Sequence, residues 1–307
     1  MSSREFMDLS PAGHQPMEDR ASGAVISFNG EIYNHVELRK ELENLGHRFF
    51  GHSDTEVLLC SLVEWGEHAF RRLNGMWAFA LWEPRRRRLL ISRDRFGVKP
   101  LYIRQSARGL AFSSEAKALL ALFPEHRAVS DQTLLDFLGN NLLYARGSSF
   151  YAGINVLPPA HYAIYEPDTG TFRIARYWDY PACAQDSLSA ENASAEFNAI
   201  FSDAVRLRLR SDVRVGVSLS GGLDSTGVLA AAVNGTEMPL TCFTSVYGQS
   251  EQSELPWAET AAVAAKASLI PVPAGASDWL ATLRKVVCHM DGPGYSPAVY
   301  PLWHLMK

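Results

Sequence analysis

The chain has 307 residues, of which 47% are hydrophobic and 20% charged, and its net charge of −4 argues against a general nucleic-acid-binding protein. No apolar run is long enough to span a membrane, the N-terminus has no signal-peptide pattern, and four widely spaced cysteines form neither a zinc ribbon nor a disulfide framework. We therefore expect a globular protein of about two domains in a reducing cytoplasm, without nucleic-acid or membrane partners.

The first half of the chain predicts a strand-rich α+β domain over residues 1–180. Its first strand is expected at Ala24–Phe28. Capping-box spacing of Asn34 with Glu37, and of Ser53 with Glu56, predicts the starts of two helices. The later elements are a short helix at Leu134–Leu138 and strands at Met76–Trp82, Leu89–Ser92, Pro100–Ile103, Leu110–Ser113, His161–Tyr165 and Phe172–Tyr177.

The second half alternates strands and helices after a linker at Tyr180–Asn192. The predicted strands are Val213–Leu219, Leu240–Val246 and Ile270–Val272. The predicted helices are Phe197–Leu209, a helix after Ser225, Leu255–Ala267, and Trp279–Met290 with Ser277 as its cap. This alternation predicts a parallel, doubly wound α/β sheet over residues 193–307.

The segment Ser220–Ser225 has the sequence Ser-Gly-Gly-Leu-Asp-Ser and joins a predicted strand to a predicted helix. Gly221 and Gly222 let the backbone approach a ligand closely, and N–H groups at the start of a helix favour an anion. The hydroxyls of Ser220 and Ser225 add donors, while Asp224 implies a bridging Mg²⁺ because a bare carboxylate repels phosphate. We interpret the segment as a phosphate-binding loop rather than a capped glycine turn, and it matches neither a Walker loop nor a dinucleotide fingerprint.

Four stretches of the chain, in order, resemble the glutamine-hydrolysing asparagine synthetases. They are Leu9–Met17, Phe28–Asn34, Arg93–Tyr102 and the loop Ser220–Ser225, which also resembles the pyrophosphate-binding loop of ATP pyrophosphatases. The resemblance implies an N-terminal-nucleophile glutaminase domain with four αββα layers, followed by an adenine nucleotide hydrolase-like ATP-pyrophosphatase domain. It also implies that aspartate is amidated through β-aspartyl-AMP, with ammonia from glutamine and with ATP and Mg²⁺, and it leaves a homodimer open.

The resemblance assigns glutamine binding to Asn29, Gly30, Glu31 and Asp54. The Asn29 amide and the Gly30 N–H would form an oxyanion hole, and the two carboxylates would hold the α-ammonium of glutamine. Asn29-Gly30 alone would predict a β-turn, and Asp54 alone would predict a helix cap.

In the second domain the resemblance assigns nucleotide binding to eight residues, with Asp224 also holding the metal. Leu219 and Val246 would border the adenine with their backbones, although as side chains both are also expected in the core. Arg93, Asp94 and Lys99 are expected to form a structural ion-pair turn without a catalytic role. The eight nucleotide-binding residues are Leu219, Ser220, Gly221, Gly222, Leu223, Asp224, Ser225 and Val246.

The chain departs from the family pattern at both ends. The N-terminal cysteine that serves as the glutaminase nucleophile is absent, so no catalytic residue is assigned, and Ser3 stands where the family has a substrate-binding arginine. The second glycine-rich acidic motif of the synthetase domain is also absent. We therefore expect a fragment that hydrolyses no glutamine alone and binds ATP weakly. The alternatives are a related amide-bond ligase with a vestigial glutaminase domain, resembling β-lactam synthetases or macrocycle ligases, and a non-catalytic nucleotide-binding protein.

Overall fold

The computed structural model describes residues 13–144, 147–181, 188–236, 238–247, 253–275, 277–294 and 296–307. The chain divides into two compact units, Met1–Ala182 and Cys183–Lys307. Ser3 and the part of the first family stretch before Gly13 lie outside the described residues.

The first unit contains two antiparallel sheets. The larger sheet has the strand order β1-β2-β3-β4-β8-β9, and the smaller has the order β6-β5-β7. The strands are β1 Met17–Glu18, β2 Val25–Ile32, β3 Gly75–Glu83, β4 Arg88–Arg93, β5 Tyr102–Ser106, β6 Gly109–Ser113, β7 Asn155–Val156, β8 His161–Glu166 and β9 Thr171–Arg176. The helices are α1 His35–Asn44, α2 Asp54–Trp65, α3 Ala116–Leu122 and α4 Asp131–Asn140, with 3-10 turns at Gly66–Arg71 and Pro124–Arg127.

The first unit has four layers, in the order helices, sheet, sheet and helix, and an apolar cluster lies between each pair of neighbouring layers. One cluster packs α1 and α2 against the larger sheet, with Phe28, Phe70, Trp77 and Phe79 at its centre. A second cluster, which includes Ala78 and Ala80 of β3 and Ile103 of β5, fills the space between the two sheets. A third packs α3 against the smaller sheet. The packing of the two sheets brings Asn29 of β2 within hydrogen-bond distance of Ser114, which directly follows β6.

Both helices begin where the capping spacing predicts, but only Ser53 caps its helix with its side chain. At α1 the Asn34 side chain makes no cap bond; its Oδ1 accepts from the Asn74 N–H at 2.9 Å. At α2, Ser53 does cap the helix by accepting from the Thr55 N–H at 3.1 Å. Glu56 accepts instead from two N–H groups of the preceding loop, at Phe50 and Gly51. Loop donors compete with the cap donors for these side chains.

The second unit contains a three-stranded parallel sheet, β10-β11-β12, with registers Gly216↔Thr241 and Thr241↔Ser268. Strand β10 covers only Gly216–Ser218, shorter than the predicted Val213–Leu219, because its partner β11 begins at Thr241. The remaining elements are α5 Ala190–Arg208, α6 Leu223–Gly235, β11 Thr241–Val246, α7 Leu255–Ala265, β12 Ser268–Pro273, α8 Trp279–Met290 and α9 Val299–Leu305.

One apolar cluster joins α5, α6 and α7 to the parallel sheet, with Leu219, Leu229 and Cys242 among its most buried members. Helix α9 contacts β11 and β12 and packs against α8. The cap of α8 is Asp278 rather than Ser277, and its carboxylate accepts from the Thr282 and Tyr300 hydroxyls instead of the backbone. Within the described ranges, no helix combines the length and apolar content that a membrane crossing requires.

Candidate functional site

Strand β2 carries Asn29, Gly30 and Glu31 at consecutive positions, so the Asn29-Gly30 pair lies in a strand and not in a β-turn. Gly30 lies opposite Trp77 of β3. A Cβ at Gly30 would lie 2.1 Å from the Met76 carbonyl oxygen, far inside contact distance. Only glycine therefore allows β3 to pass so close to this position, and the side chains on either side of Gly30 are held by a fixed backbone.

Asn29 is half-buried, and within the described part of the chain its side-chain amide makes one hydrogen bond. Its Nδ2 donates to Ser114 Oγ at 3.1 Å. Ser114 directly follows β6, so this bond connects the larger sheet to the end of the smaller one. An asparagine amide has two N–H donors, and no residue that the structure describes takes the second N–H, which can donate to a ligand carbonyl.

Asp54 begins α2 but does more than favour the helix start. It is buried, with 4% of its surface exposed, and its Oδ2 accepts from the Ile32 N–H at 2.8 Å. That bond holds the carboxylate at the end of β2, where the negative charge of Glu31 acts on it. The predicted residues Asn29, Gly30, Glu31 and Asp54 therefore lie together around the end of β2.

The two carboxyl groups have pKa values above their ordinary range. Burial raises the pKa of Asp54 from 3.8 to about 7, and the charge of Glu31 adds to the rise, while the Ile32 N–H opposes it. Burial also raises the pKa of Glu31, and the charge of Lys99 opposes that rise. A cation that binds here would favour the ionised form of each carboxyl group, so the pair suits an ammonium group.

Two neighbouring side chains support this site and were not predicted from the sequence. Gln15 accepts from the Phe28 N–H at 2.6 Å, and its Nε2 donates to Thr55 Oγ1 at 3.4 Å. It therefore connects β2 to the first turn of α2, next to Asp54. Gln15 belongs to Leu9–Met17, the first stretch that resembles the family, and this resemblance is the sequence signal that could have pointed to it. No pattern in the sequence pointed to Ser114.

The expected ion-pair turn at Arg93, Asp94 and Lys99 is wrong. The Asp94 carboxylate accepts from four backbone N–H groups, those of Trp77, Phe96, Val98 and Lys99. The Arg93 guanidinium donates to three backbone carbonyls, those of Lys99, Leu157 and Gly97. The buried charges of Arg93 and Asp94 thus hold the loop through its backbone, by pairing with its peptide groups.

Cys60 does not fit the role of a glutaminase nucleophile. It lies within α2 and is buried. Burial, with the charges of Glu56 and Asp19, raises the pKa of its thiol to about 12. At neutral pH the thiolate form that attacks a carbonyl is therefore negligible.

In the second unit, the loop Ser220–Ser225 runs from the end of β10 into α6. Gly222 is the N-cap of α6. The Ser225 Oγ accepts from the Ser220 N–H at 3.2 Å and lies 2.9 Å from the Ser220 Oγ. The Ser220 Oγ in turn accepts from the Gly222 N–H at 3.3 Å. The two serine hydroxyls therefore fold the loop back over the start of the helix, where N–H groups lack partners within the helix.

Gly221 is required by both its conformation and its surroundings. Its φ is +81°, and a Cβ there would lie 2.5 Å from the Trp257 Cβ and 2.6 Å from the Ala258 nitrogen. The loop therefore packs against the first turn of α7. Leu223 is 94% exposed beside it and makes no core contact.

Leu219 and Val246 lie at the carboxyl edge of the parallel sheet. Leu219 follows β10, is buried, and donates its N–H to the Phe243 carbonyl at 2.8 Å. Val246 ends β11 and accepts from the Ala274 N–H at 2.9 Å. Ligands of open parallel sheets bind at this edge, beside the loop Ser220–Ser225.

The predicted metal-binding residue Asp224 lies exposed in the first turn of α6. Among the described residues, no three acidic, histidine or cysteine side chains are grouped as a metal site. A Mg²⁺ bound with nucleotide takes most of its ligands from phosphate and water and needs only one or two carboxylates. Asp224 by itself therefore fits a metal that arrives with ATP.

Two family models match the chain. The model described as a glutamine amidotransferase domain matches residues 5–178, and the one described as asparagine synthase matches residues 196–307. Each match falls entirely within one of the two compact units.

Curated relatives agree with these matches. The chain is 38% identical over 247 residues to glutamine-hydrolyzing asparagine synthetase 3 of Bacillus subtilis, covering 78% of this chain and 40% of that protein. It is 32% identical to asparagine synthetase 1 of the same organism, over 96% of this chain and 46% of that protein. A Gibberella zeae protein named amidase chry2 is 34% identical over 73% of this chain and 33% of its own length. The chain thus spans less than half the length of these relatives. It belongs to the family of glutamine-hydrolysing asparagine synthetases, with a glutamine amidotransferase domain in its first unit.

Proposed function

We propose that the chain provides the glutamine-binding and ATP-binding parts of a glutamine-hydrolysing asparagine synthetase. In this reaction ammonia from glutamine amidates aspartate, whose β-carboxylate ATP first activates as β-aspartyl-AMP. Residues 1–180 act as the glutaminase domain with αββα layers. Residues 193–307 act as the doubly wound ATP-pyrophosphatase domain.

The observation that carries this proposal is the hydrogen bond from the Ile32 N–H to the Asp54 carboxylate. It brings Asp54 from α2 to the end of β2, so that two carboxyl groups lie beside the amide of Asn29 and the backbone of Gly30. The carboxylates of Glu31 and Asp54 bind the α-ammonium of glutamine. The Asn29 amide and the Gly30 N–H bind the side-chain carbonyl oxygen of glutamine, where charge develops during hydrolysis.

The ATP part is supported by the loop Ser220–Ser225 at the carboxyl edge of a parallel sheet. Its hydroxyls and N–H groups bind the pyrophosphate part of ATP, and Asp224 holds the accompanying Mg²⁺. The backbones of Leu219 and Val246 border the adenine. Mg²⁺ supplies charge neutralisation of the phosphates when it is bound.

The activating half-reaction is tested by exchange of ³²P-pyrophosphate into ATP in the presence of Mg²⁺ and aspartate. We expect aspartate-dependent exchange that is lost in Asp224→Ala. Glutamate and a panel of other carboxylic acids, in place of aspartate, identify the activated substrate. A folded chain that binds ATP but shows no exchange above the Asp224→Ala variant would contradict the assignment of this activity to the chain.

A further inference from the structure

Among the described residues, the side-chain partner of the Asn29 amide is Ser114, which lies 85 positions away in the sequence and directly follows β6 of the smaller sheet. The separation is 3.1 Å between Asn29 Nδ2 and Ser114 Oγ. The backbone on the Asn29 side is already fixed, because Gly30 lies against β3. What the backbone does not fix is the rotation of the amide about its last side-chain bond, which is a soft torsion.

We propose that Ser114 is a positioning residue for the oxyanion hole. By accepting one N–H of Asn29, its hydroxyl turns the nitrogen side of the amide inward and directs the second N–H toward the side-chain carbonyl of glutamine. Ser114 does not touch the substrate and acts only through Asn29. This inference rests on the proposed function of Asn29 in glutamine binding.

The neighbouring Ser113 provides a matched control. Its hydroxyl accepts from the Glu115 N–H at 3.2 Å and makes no bond to Asn29. It is also the more buried of the two serines. If the effect of Ser114→Ala came only from a general loss of order in this turn, Ser113→Ala would therefore produce at least as large an effect.

The first arm of the test needs no ligand. In ¹H–¹⁵N spectra of the whole chain, the side-chain amide pair of Asn29 is identified by its disappearance in Asn29→Asp. Ser114→Ala should shift this pair, Ser114→Thr should return it toward its original position, and Ser113→Ala should leave it in place. An Asn29 pair that does not move in Ser114→Ala overturns the inference, whatever the chain binds.

The second arm compares L-glutamine with L-norvaline by calorimetry. Norvaline keeps the α-ammonium and α-carboxylate of glutamine but has a methyl group in place of the carboxamide. Ser114→Ala should weaken glutamine binding about fivefold, the size of one hydrogen bond, and leave norvaline binding unchanged, with recovery in Ser114→Thr. A merely structural role would weaken both ligands equally.

The outcomes separate the two claims. If the original chain binds glutamine and Ser114→Ala binds it equally well, the positioning role is wrong while the glutamine site stands. If the original, folded chain binds neither amino acid, the glutamine site itself is wrong and the role of Ser114 is rejected with it.

Discussion

Replacing Asp54 by asparagine should make the stability of the free chain less dependent on pH. Asparagine has nearly the same shape, and its side-chain oxygen can still accept from the Ile32 N–H. What the substitution removes is ionisation at a buried position beside Glu31. The free energies of unfolding of the two chains should therefore diverge as the pH rises.

The size follows from the pKa of Asp54, which rises from 3.8 in the unfolded chain to about 7 in the fold. Between these values the folded chain holds a proton that the unfolded chain has released, so stability falls as pH rises. At roughly 1.36 kcal/mol per pH unit, the total is about 4 kcal/mol. This contribution is fully present below pH 3.8 and is lost once the pH passes about 7. As the pH rises from 4 to 8, the free energy of unfolding of Asp54→Asn should therefore increase by about 4 kcal/mol relative to that of the original chain.

The assay is urea unfolding of both chains at intervals from pH 4 to pH 8, plotted as the difference in the free energy of unfolding. Titrating groups that do not interact with Asp54 cancel in this difference. Asp131→Asn is the matched control, because Asp131 also begins a helix behind a capping serine, Ser130, but is exposed. If the difference in the free energy of unfolding between Asp54→Asn and the original chain stays constant or falls as pH rises, the pKa of Asp54 is not raised in the fold.

Three further predictions concern ligands and glycines. Glutamine affinity should fall about tenfold per pH unit below pH 7, because Asp54 must ionise to bind an ammonium group, and calorimetry at pH 5.5 to 8 measures this. Gly30→Ala should destabilise the first unit by more than about 3 kcal/mol in urea unfolding, because its Cβ meets the Met76 carbonyl at 2.1 Å. Gly221→Ala should abolish binding of a fluorescent ATP analogue, whereas Gly227→Ala, which has open space within α6, should bind it normally and gain about 0.5–1 kcal/mol of stability.

The element types could largely be predicted because they follow local patterns. The alternation of strands and helices after Asn192 predicted a parallel sheet, and β11, α7, β12 and α8 lie within two residues of their expected bounds. The antiparallel strands β3, β4 and β8 were also expected from their apolar runs. Helix α3 was missed, since its seven residues are too few to show a helical period.

The side-chain contacts could not be predicted in the same way, because they depend on tertiary packing. Capping spacing gave the start of α1 correctly, but the Asn34 oxygen bonds to the distant Asn74. Asp94 was expected to pair with arginine, and it binds backbone N–H groups instead. The bond between Asn29 and Ser114 spans 85 positions, so no local pattern carries it. The placement of the predicted glutamine-binding residues around β2 followed from the family resemblance rather than from periodicity.

Binding of L-glutamine to the chain at pH 8, measured by calorimetry with glutaramate as the control, tests the central claim most directly. Glutaramate keeps the carboxylate and the carboxamide of glutamine but lacks the α-ammonium, which Glu31 and Asp54 are proposed to bind. The account predicts one L-glutamine per chain, no binding of glutaramate, and loss of L-glutamine binding in Asp54→Asn. A folded chain that binds no L-glutamine, or that binds glutaramate equally well, would contradict it.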